Sequence, residues 1–326
     1  MSLIVERVRV AGPANGGSCV ARVDGRVVFV RGTAPGELIN LRVDEVLSKY
    51  SRGTAVAILE PHPARRIPPC PFAGVCGGCD WQHLDPAAQR ALKSEIASGL
   101  LGVPVGVAAV EPDDFGWRTR MKYASCDGKP ALHKYRSHEL VPVGRCLLEA
   151  ANPQTRLGDR VFQVAPDGFW QPHVAAPQVL TEAVLDFLRP QPGQSALDLY
   201  CGVGLFAAVL ADAGCQVTGV EGNREAVANA RRNVPAARFF AQDVGKAHLG
   251  KADLVVLDPP RKGAGAHVMR ELCTGGRIAY VSCDPATLAR DIRAAAEFGY
   301  ELGGIRAFDL FPNTHHVECV ALLIPS

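Results

Sequence analysis

The sequence lacks any run of apolar residues that approaches the roughly 20 needed to cross a membrane. Its first residues, MSLIVERVRVAGP, also lack the charged-then-apolar order of a secretion signal. There is no internal repeat and no low-complexity tract. We therefore expect a cytoplasmic protein with no membrane segment, and the 326 residues predict two or three modules around sizeable cores.

Net charge is also small, at +2, but it is unevenly spread. Residues 1–165 carry 21 Lys and Arg against 16 Asp and Glu, whereas residues 166–326 carry 14 against 17. A basic first half suits a polyanionic partner, although an ordinary solvated surface explains this modest excess equally well.

Cysteine is abundant, with 11 residues. An odd number argues against a pure disulfide framework, and this many is unusual for a cytoplasmic protein. We therefore expect some of these cysteines to have a chemical role.

Residues 1–60 read as short alternating strands with glycines at the turns. The segment DGR between two valine-rich runs predicts a hairpin. We predict a small closed barrel of the OB-like kind, a fold that often binds nucleic acid.

Residues 61–165 begin with a proline-rich linker and the cysteine-rich segment CPFAGVCGGCDWQ. Asp85 and Pro86 then predict a helix over residues 85–101, with Asp85 as its N-cap. Short strands interrupted by glycine and proline follow, so we predict a small, mostly β central module.

Residues 166–326 alternate regularly between helix and strand patterns. Alternating βα units predict a parallel, doubly wound sheet, and hence an α/β fold. The last two strand patterns have no helix between them, so we expect them to pair antiparallel.

The motif LDLYCGVGLFA, residues 197–207, ends the first strand of this region. Gly202 and Gly204 fit a dinucleotide fingerprint, but Asp198 inside the strand points to the S-adenosylmethionine version, because a carboxylate suits a cationic donor. Glu221 at the second strand end could accept hydrogen bonds from ribose, and Asp243 after the third could meet an adenine amino group. Each acid could also be an ordinary surface residue.

Cys283 stands where a strand pattern, RIAYVSC, meets a helix pattern. The helix N-terminus favours a thiolate and the neighbouring Asp284 opposes it. Beside a methyl donor, a thiol there suits methylation of pyrimidine carbon 5, which needs addition of a nucleophile at carbon 6. Glu318 is a candidate base for the carbon 5 proton, with His316 as the alternative.

Together, DPPRKG, SCDP, FDLFPNTHHVE and FWQPH resemble motifs of the S-adenosylmethionine-dependent RNA uracil-5-methyltransferases. The resemblance implies a class I (Rossmann-like) methyltransferase domain, an RNA-binding TRAM barrel and a substrate in structured tRNA or rRNA. It implies that Cys283 is the nucleophile and Glu318 the base. It also implies four cofactor contacts, from Gln171, Tyr200, Glu221 and Asp258. Leu205 and His173 depart from the family pattern, and the central module is shorter than in many relatives.

Cys70, Cys76, Cys79 and Cys146 form a spacing that, on chemistry alone, could hold zinc or an iron–sulfur cluster. The resemblance favours a [4Fe–4S] cluster. No protein partner is implied, and we expect a monomer. Three alternatives to uridine methylation remain: cytosine-5 methylation, RNA binding with a vestigial catalytic half and, weakest, an NAD-dependent oxidoreductase.

Overall fold

The computed structural model describes residues 3–326. Its first five strands are β1 (Leu3–Pro13), β2 (Cys19–Val23), β3 (Arg26–Arg31), β4 (Leu38–Val46) and β5 (Ser51–Glu60). They close a barrel in the order β1-β2-β3-β5-β4 around a core of alternating apolar residues. Asp24 and Gly25 both have positive φ, at 48° and 80°, which makes the tight turn between β2 and β3. The predicted barrel and its hairpin are confirmed.

The central region contains one helix and six short strands. These are α1 (Pro86–Leu101), β6 (Val107–Ala108), β7 (Ala124–Cys126), β8 (Lys129–His133), β9 (Leu140–Pro142), β10 (Arg156–Leu157) and β11 (Arg160–Val161). Strands β7, β8 and β9 form an antiparallel sheet, and β10 and β11 form a separate hairpin. The predicted N-cap is confirmed, since the Asp85 carboxylate accepts a hydrogen bond from the Ala88 amide at 2.7 Å.

The carboxyl-terminal region is an α/β layer structure. Its elements are α2 (Ala176–Leu188), β12 (Ser195–Leu199), α3 (Leu205–Asp212), β13 (Gln216–Glu221), α4 (Arg224–Asn233), β14 (Arg238–Ala241), β15 (Leu254–Leu257), α5 (Ala266–Leu272), β16 (Arg277–Ser282), α6 (Pro285–Ala296), β17 (Tyr300–Phe308) and β18 (Glu318–Pro325). The sheet order is β14-β13-β12-β15-β16-β18-β17-β6. Strands β12 to β16 are parallel, whereas β18 runs antiparallel to both β16 and β17, as the missing helix predicted.

Both faces of this sheet are covered, which explains the continuous apolar strands. Along β15, Leu254 and Val256 pack into one core, and Val255 and Leu257 into the other. The buried strands are therefore accessible only at their ends, where polar residues follow. Within residues 3–326, none of the helices has the length and apolar character that crossing a membrane requires.

Parts of the central region are built into the same sheet. Strand β6 pairs with β17 through Val107 and Ala307. From α1, the Lys93 ammonium donates to the Asp309 carboxylate at 2.6 Å, and both side chains are fully buried. This ion pair ties α1 to the segment that precedes β18.

Candidate active site

The candidate residues meet at one edge of the sheet because its parallel strands all end there. Glu221 ends β13, Asp258 follows β15, and Cys283 follows β16. Strand β18 begins at this edge, because it is antiparallel and its Cys319 lies opposite Ser282. Glu318 is thereby brought beside the other candidates from the far end of the chain.

The loop after β12 takes a backbone path that favours glycine. Tyr200, Gly202 and Gly204 have φ values of 58°, 52° and 91°. A Cβ atom on Gly204 would also lie 3.2 Å from the Val234 side chain. The loop can therefore bring backbone amides to the N-terminus of α3, where a ligand can approach them closely.

A pocket opens over this loop. Its lining includes Phe169, Gln171, Tyr200, Gly202, Leu205 and Asp258. Leu205, one of the two departures from the family pattern, is thus an apolar wall of the pocket. The Phe169 side chain is 65% exposed at the rim.

Two acids border the glycine loop. The Glu221 carboxylate accepts from the Gly202 amide at 3.2 Å and from the Asn223 amide at 2.7 Å. Asp243 is exposed after β14, and its carboxylate accepts from the Gly245 amide at 2.8 Å. The positions of both carboxylates suit hydrogen bonds to the ribose and the base of a nucleoside.

Asp198 is fully buried inside β12 and is absent from the lining of this pocket. One carboxylate oxygen accepts from the Ala207 amide at 2.8 Å, while the other has no partner among the described residues. Burial raises the pKa of Asp198 to about 8, with Asp258 and Glu221 adding to the effect. Its observed contact fixes the turn from β12 into α3.

Gln171 donates its side-chain amide to the Asp258 carboxylate at 2.9 Å. His173, two residues later, is fully buried, and its ring makes hydrogen bonds that support the fold. Its Nδ1 accepts from the Ala175 amide at 3.0 Å, so its Nε2 donates to the Pro112 carbonyl at 3.2 Å. His173, which departs from the family pattern, therefore supports the fold. Gln171, and not His173, lines the cofactor pocket.

Cys283 lies half-buried in a cleft with Arg261, His315 and His316. Burial, with the nearby Glu318 adding to the effect, raises the pKa of its thiol to about 12. The helix N-terminus gives little help, because the Asp284 carboxylate already accepts from the amides of Ala286 and Thr287. The thiol is protonated in the free protein at neutral pH.

Glu318 is buried and Asp258 is partly buried, and the two carboxyls influence each other. Burial raises the pKa of both carboxyls, and the negative charge of Asp258 raises that of Glu318 further, while Arg261 opposes this. Both acids also raise the pKa of Cys283. The charges of Asp258 and Glu318 therefore affect the protonation of Cys283, at the edge where the strands end.

The two histidines before β18 have different partners. His315 Nδ1 lies 2.6 Å from the Asp80 carboxylate, which also accepts from the His315 amide. His316 Nε2 accepts from the Arg261 guanidinium at 3.1 Å, and burial lowers the pKa of His316 to about 3. Sequence reasoning missed Asp80, whose only signal is its place directly after Cys79.

Asn313 joins the cysteine segment to the segment that leads into β18. Its carbonyl accepts from the amides of Asp80 and Trp81 at 2.9 and 3.1 Å. Its side chain contacts Gln89 and Asp114, and its φ is 66°, a left-handed conformation that asparagine tolerates. These contacts fix the path of the two histidines and Glu318.

The four candidate ligand cysteines line one pocket. They are Cys70, Cys76, Cys79 and Cys146, and aliphatic side chains such as Leu132 and Val143 complete the walls. Among residues 3–326, no three Cys, His, Asp or Glu side chains lie close enough together to hold a single metal ion. The structure therefore gathers the thiols without forming a mononuclear site.

Three family models match this chain. The TRAM domain matches residues 5–56, the methyltransferase small domain residues 178–278, and tRNA (uracil-5-)-methyltransferase residues 242–325. The last match includes Asp258, Cys283 and Glu318. The three together reach from the barrel to the final strand.

Whole-chain comparisons agree. An RNA methyltransferase of Streptomyces coelicolor is 37% identical over all of this chain and 94% of its own length. The 23S rRNA (uracil(1939)-C(5))-methyltransferase of Thiobacillus denitrificans is 31% identical over 94% of this chain and 96% of its own. The fold is similar to that of the Pyrococcus abyssi tRNA (uracil-54, C5)-methyltransferase in complex with S-adenosyl-L-homocysteine, with a TM-score of 0.79, 24% identity and coverage of 98% and 99% of the two chains. The chain therefore belongs to the family of S-adenosylmethionine-dependent RNA (uracil-5-)-methyltransferases.

Proposed function

We propose that this protein transfers a methyl group from S-adenosylmethionine to carbon 5 of a uridine in tRNA or rRNA, through a covalent adduct of Cys283. The observation that carries the proposal is the position of Asp258. It borders the cofactor pocket and, through its charge, acts on both Cys283 and Glu318. Methyl donor and target base would therefore meet beside this carboxylate.

In the first step the Cys283 thiol would give its proton to solvent in the open cleft, and its sulfur would bond to carbon 6 of uracil. The electron pair of the carbon 5–carbon 6 bond moves toward oxygen 4 as an enolate, which makes carbon 5 nucleophilic. Carbon 5 would then bond to the methyl group of the donor's sulfonium, while the sulfur–methyl bond breaks and neutral S-adenosyl-L-homocysteine leaves. The base must leave its stack to reach this buried thiol.

Glu318 then removes the proton from carbon 5, and the carbon–sulfur bond breaks to release product. Its raised pKa makes it a stronger base than an exposed carboxylate. His316 is the weaker candidate, because its pKa is lowered to about 3 and its Nε2 already accepts from Arg261.

The cofactor pocket would bind the donor through residues from several strand ends. We assign Glu221 to the ribose hydroxyls, Asp243 to the adenine edge, and Gln171 with Asp258 to the methionine end. Tyr200, Gly202 and Gly204 shape the loop, and Asp198 holds that loop against α3. Negative charge at Asp258 and Glu318 would attract the sulfonium.

For the cysteine pocket we propose a [4Fe–4S] cluster held by Cys70, Cys76, Cys79 and Cys146. Each thiolate of such a cluster binds a different iron, so the sulfurs stand farther apart than around one zinc ion. The lining of one pocket by all four cysteines supports this proposal. The cluster would be structural, and the methyl transfer needs no electron from it.

The test is a methyl-transfer assay on unmodified tRNA and rRNA transcripts, with nucleoside mass spectrometry of the product. We expect 5-methyluridine from the parent protein and none from Cys283→Ala. Product at cytidine alone would replace the proposal with cytosine-5 methylation. RNA binding without any product, by a folded and cluster-loaded protein, would leave only a binding role.

The covalent step has its own test. RNA that contains 5-fluorouridine should remain attached to the protein, because fluorine cannot leave as a proton. A peptide adduct on Cys283 that includes the methyl group is the expected result, and an adduct on another cysteine would overturn the assignment.

A further inference from the structure

The segment between β15 and α5, residues 260–265, presents Arg261 to the cleft that contains Cys283. We call this segment the Arg261 loop. It begins with a turn, because the Gly263 amide donates to the Pro260 carbonyl at 2.8 Å and leaves Arg261 at a central position. The Arg261 side chain is exposed and packs into no core. The position of its guanidinium therefore depends on the backbone of the loop.

Asp291, in the second turn of α6, binds the backbone of this loop. Its side chain is fully buried. One carboxylate oxygen accepts from the amides of Ala264 and Gly265 at 2.8 and 3.2 Å. The same oxygen accepts from the Tyr280 hydroxyl at 2.6 Å, and that hydroxyl accepts from the Ala264 amide at 3.0 Å. Two elements, α6 and β16, thus hold the same point of the loop.

Arg290 holds the preceding part of the loop. Its guanidinium donates to the Lys262 carbonyl at 2.8 Å and to the second carboxylate oxygen of Asp291, also at 2.8 Å. Gly263 packs against both side chains. A Cβ atom on Gly263 would clash with the Arg290 guanidinium and lie 2.5 Å from the Asp291 carboxylate, and its φ of 77° also favours glycine. The backbone of residues 262–265 is therefore fixed on α6.

The same helix begins at the reactive thiol. Asp284, directly after Cys283, is the N-cap of α6. Asp291 lies about two turns further along this helix. One rigid element therefore fixes both the residue that carries the thiol and the loop that carries Arg261.

Four charged side chains affect the protonation of the thiol: Asp258 and Arg261 after β15, Glu318 on β18, and Asp284 on α6. Of these four, only Arg261 lowers the pKa of Cys283. It also opposes the raised pKa of Glu318. The rings of His315 and His316 complete the cleft. The position of Arg261 therefore affects both the proposed nucleophile and the proposed base.

We propose that Asp291, together with the Tyr280 hydroxyl, is a positioning residue that holds the Arg261 loop so that the Arg261 guanidinium stands beside Cys283. Asp291 itself is buried and is absent from the lining of the cleft, so it acts through the loop. The inference rests on the proposed function, since it gives residues outside the cleft a role in the same reaction.

The first test compares alkylation of Cys283 by iodoacetamide in the parent protein and in Asp291→Asn. It uses fixed pH, no RNA and no S-adenosylmethionine, and peptide mass spectrometry follows the Cys283 peptide. We expect alkylation to be about threefold slower in the variant, because displacement of Arg261 raises the pKa of the thiol and lowers its thiolate fraction. Loss of the negative charge of Asp291 would by itself favour the thiolate, so slower alkylation indicates that the cation has moved.

The variant Arg261→Gln separates positioning of the cation from a general loss of structure. Asp291→Asn should slow alkylation in the parent background but have no further effect in Arg261→Gln, where the cation is already gone. Equal slowing in both backgrounds would show a merely structural role and overturn the proposal. Alkylation at the parental rate in Asp291→Asn would overturn it as well.

A matched pair of tyrosines decides the question if Asp291→Asn does not fold. Tyr280→Phe and Tyr300→Phe each remove one buried hydroxyl that accepts from a loop amide, at 3.0 and 2.8 Å respectively. Of the two loops, only the first carries Arg261. We expect slower alkylation in Tyr280→Phe alone, by about twofold, since Asp291 still binds the loop. Equal rates in the two variants would contradict the proposal.

These measurements need no methylated product. If the parent protein makes none but the alkylation rates follow the expected pattern, the proposed function fails while the positioning role of Asp291 holds. If the parent methylates uridine but Tyr280→Phe and Tyr300→Phe are alkylated alike, the positioning role fails while the proposed function holds.

Discussion

The two cysteine sites of this protein are held in place by different means. Cys283 follows β16, whose backbone is fixed on one side by β15 and on the other by β18. Cys70, Cys76 and Cys79 lie in an irregular segment outside the named strands and helices, and their thiols line a pocket with aliphatic walls. Sheet hydrogen bonds position a reactive thiol without a ligand, whereas we expect an irregular segment to depend more on a bound group for its geometry.

The largest expected effect is on the rate of methyl transfer, through the thiol of Cys283. Cys283→Ser should lower methyl transfer by about 10⁴-fold or more, because a hydroxyl at this position is a far weaker nucleophile. The melting temperature should hardly change, since β16 keeps its pairings. Cys273→Ser, at a half-buried cysteine of the same domain, is the matched control and should retain activity. A large loss of stability in Cys283→Ser would show that the thiol also supports the fold.

The second effect concerns release from the adduct. Glu318→Gln should lower turnover by about 10²- to 10⁴-fold, since the carbon 5 proton loses its acceptor. Methylated RNA should then accumulate as a covalent complex on Cys283, visible on a denaturing gel. Accumulation in His316→Ala instead, with normal release in Glu318→Gln, would assign the base to His316.

Residue positions that follow from regular strand and helix geometry could be predicted from the sequence. Glu221 and Cys283 were predicted at one edge because parallel strands end together, and Asp85 was predicted as a cap from local pattern alone. The contact of Asp80 with His315 joins residues 235 positions apart and has no local signal. The ion pair of Lys93 and Asp309 also has no local sequence signal, and neither does the pairing of β6 with the sheet. Contacts between distant irregular segments depend on the assembled fold.

A third prediction addresses the cysteine pocket. Cys79→Ser should reduce iron content and lower the melting temperature by several degrees, because a structural metal group contributes its binding energy to folding. Through Asp80 and Trp81, backbone protection in hydrogen exchange should also fall around Asn313. Cys126→Ser, at a cysteine of the same module outside the pocket, should change neither property. Equal behaviour of the two variants would mean that the irregular segment holds its shape without a cluster.

The smallest effect tests the acids that the sheet edge brings together. Burial raises the pKa of Asp258 and Glu318, so both carboxyls gain protons as the pH falls below their raised pKa values. Protonation removes the negative charge that attracts a sulfonium. Affinity for S-adenosylmethionine should therefore fall between pH 7 and pH 5, by up to about tenfold for each proton that binding must displace.

Calorimetric titration of the RNA-free protein at both pH values checks this, with S-adenosyl-L-homocysteine as the matched ligand. The homocysteine product lacks the positive sulfur, so its affinity should depend less on pH over the same range. In Asp258→Asn the difference between the two ligands should shrink, because one of the titrating charges is gone. The same pH dependence for both ligands would place the titrating group elsewhere, at the amino acid end or the ribose, and would remove the electrostatic role proposed for the carboxyl pair.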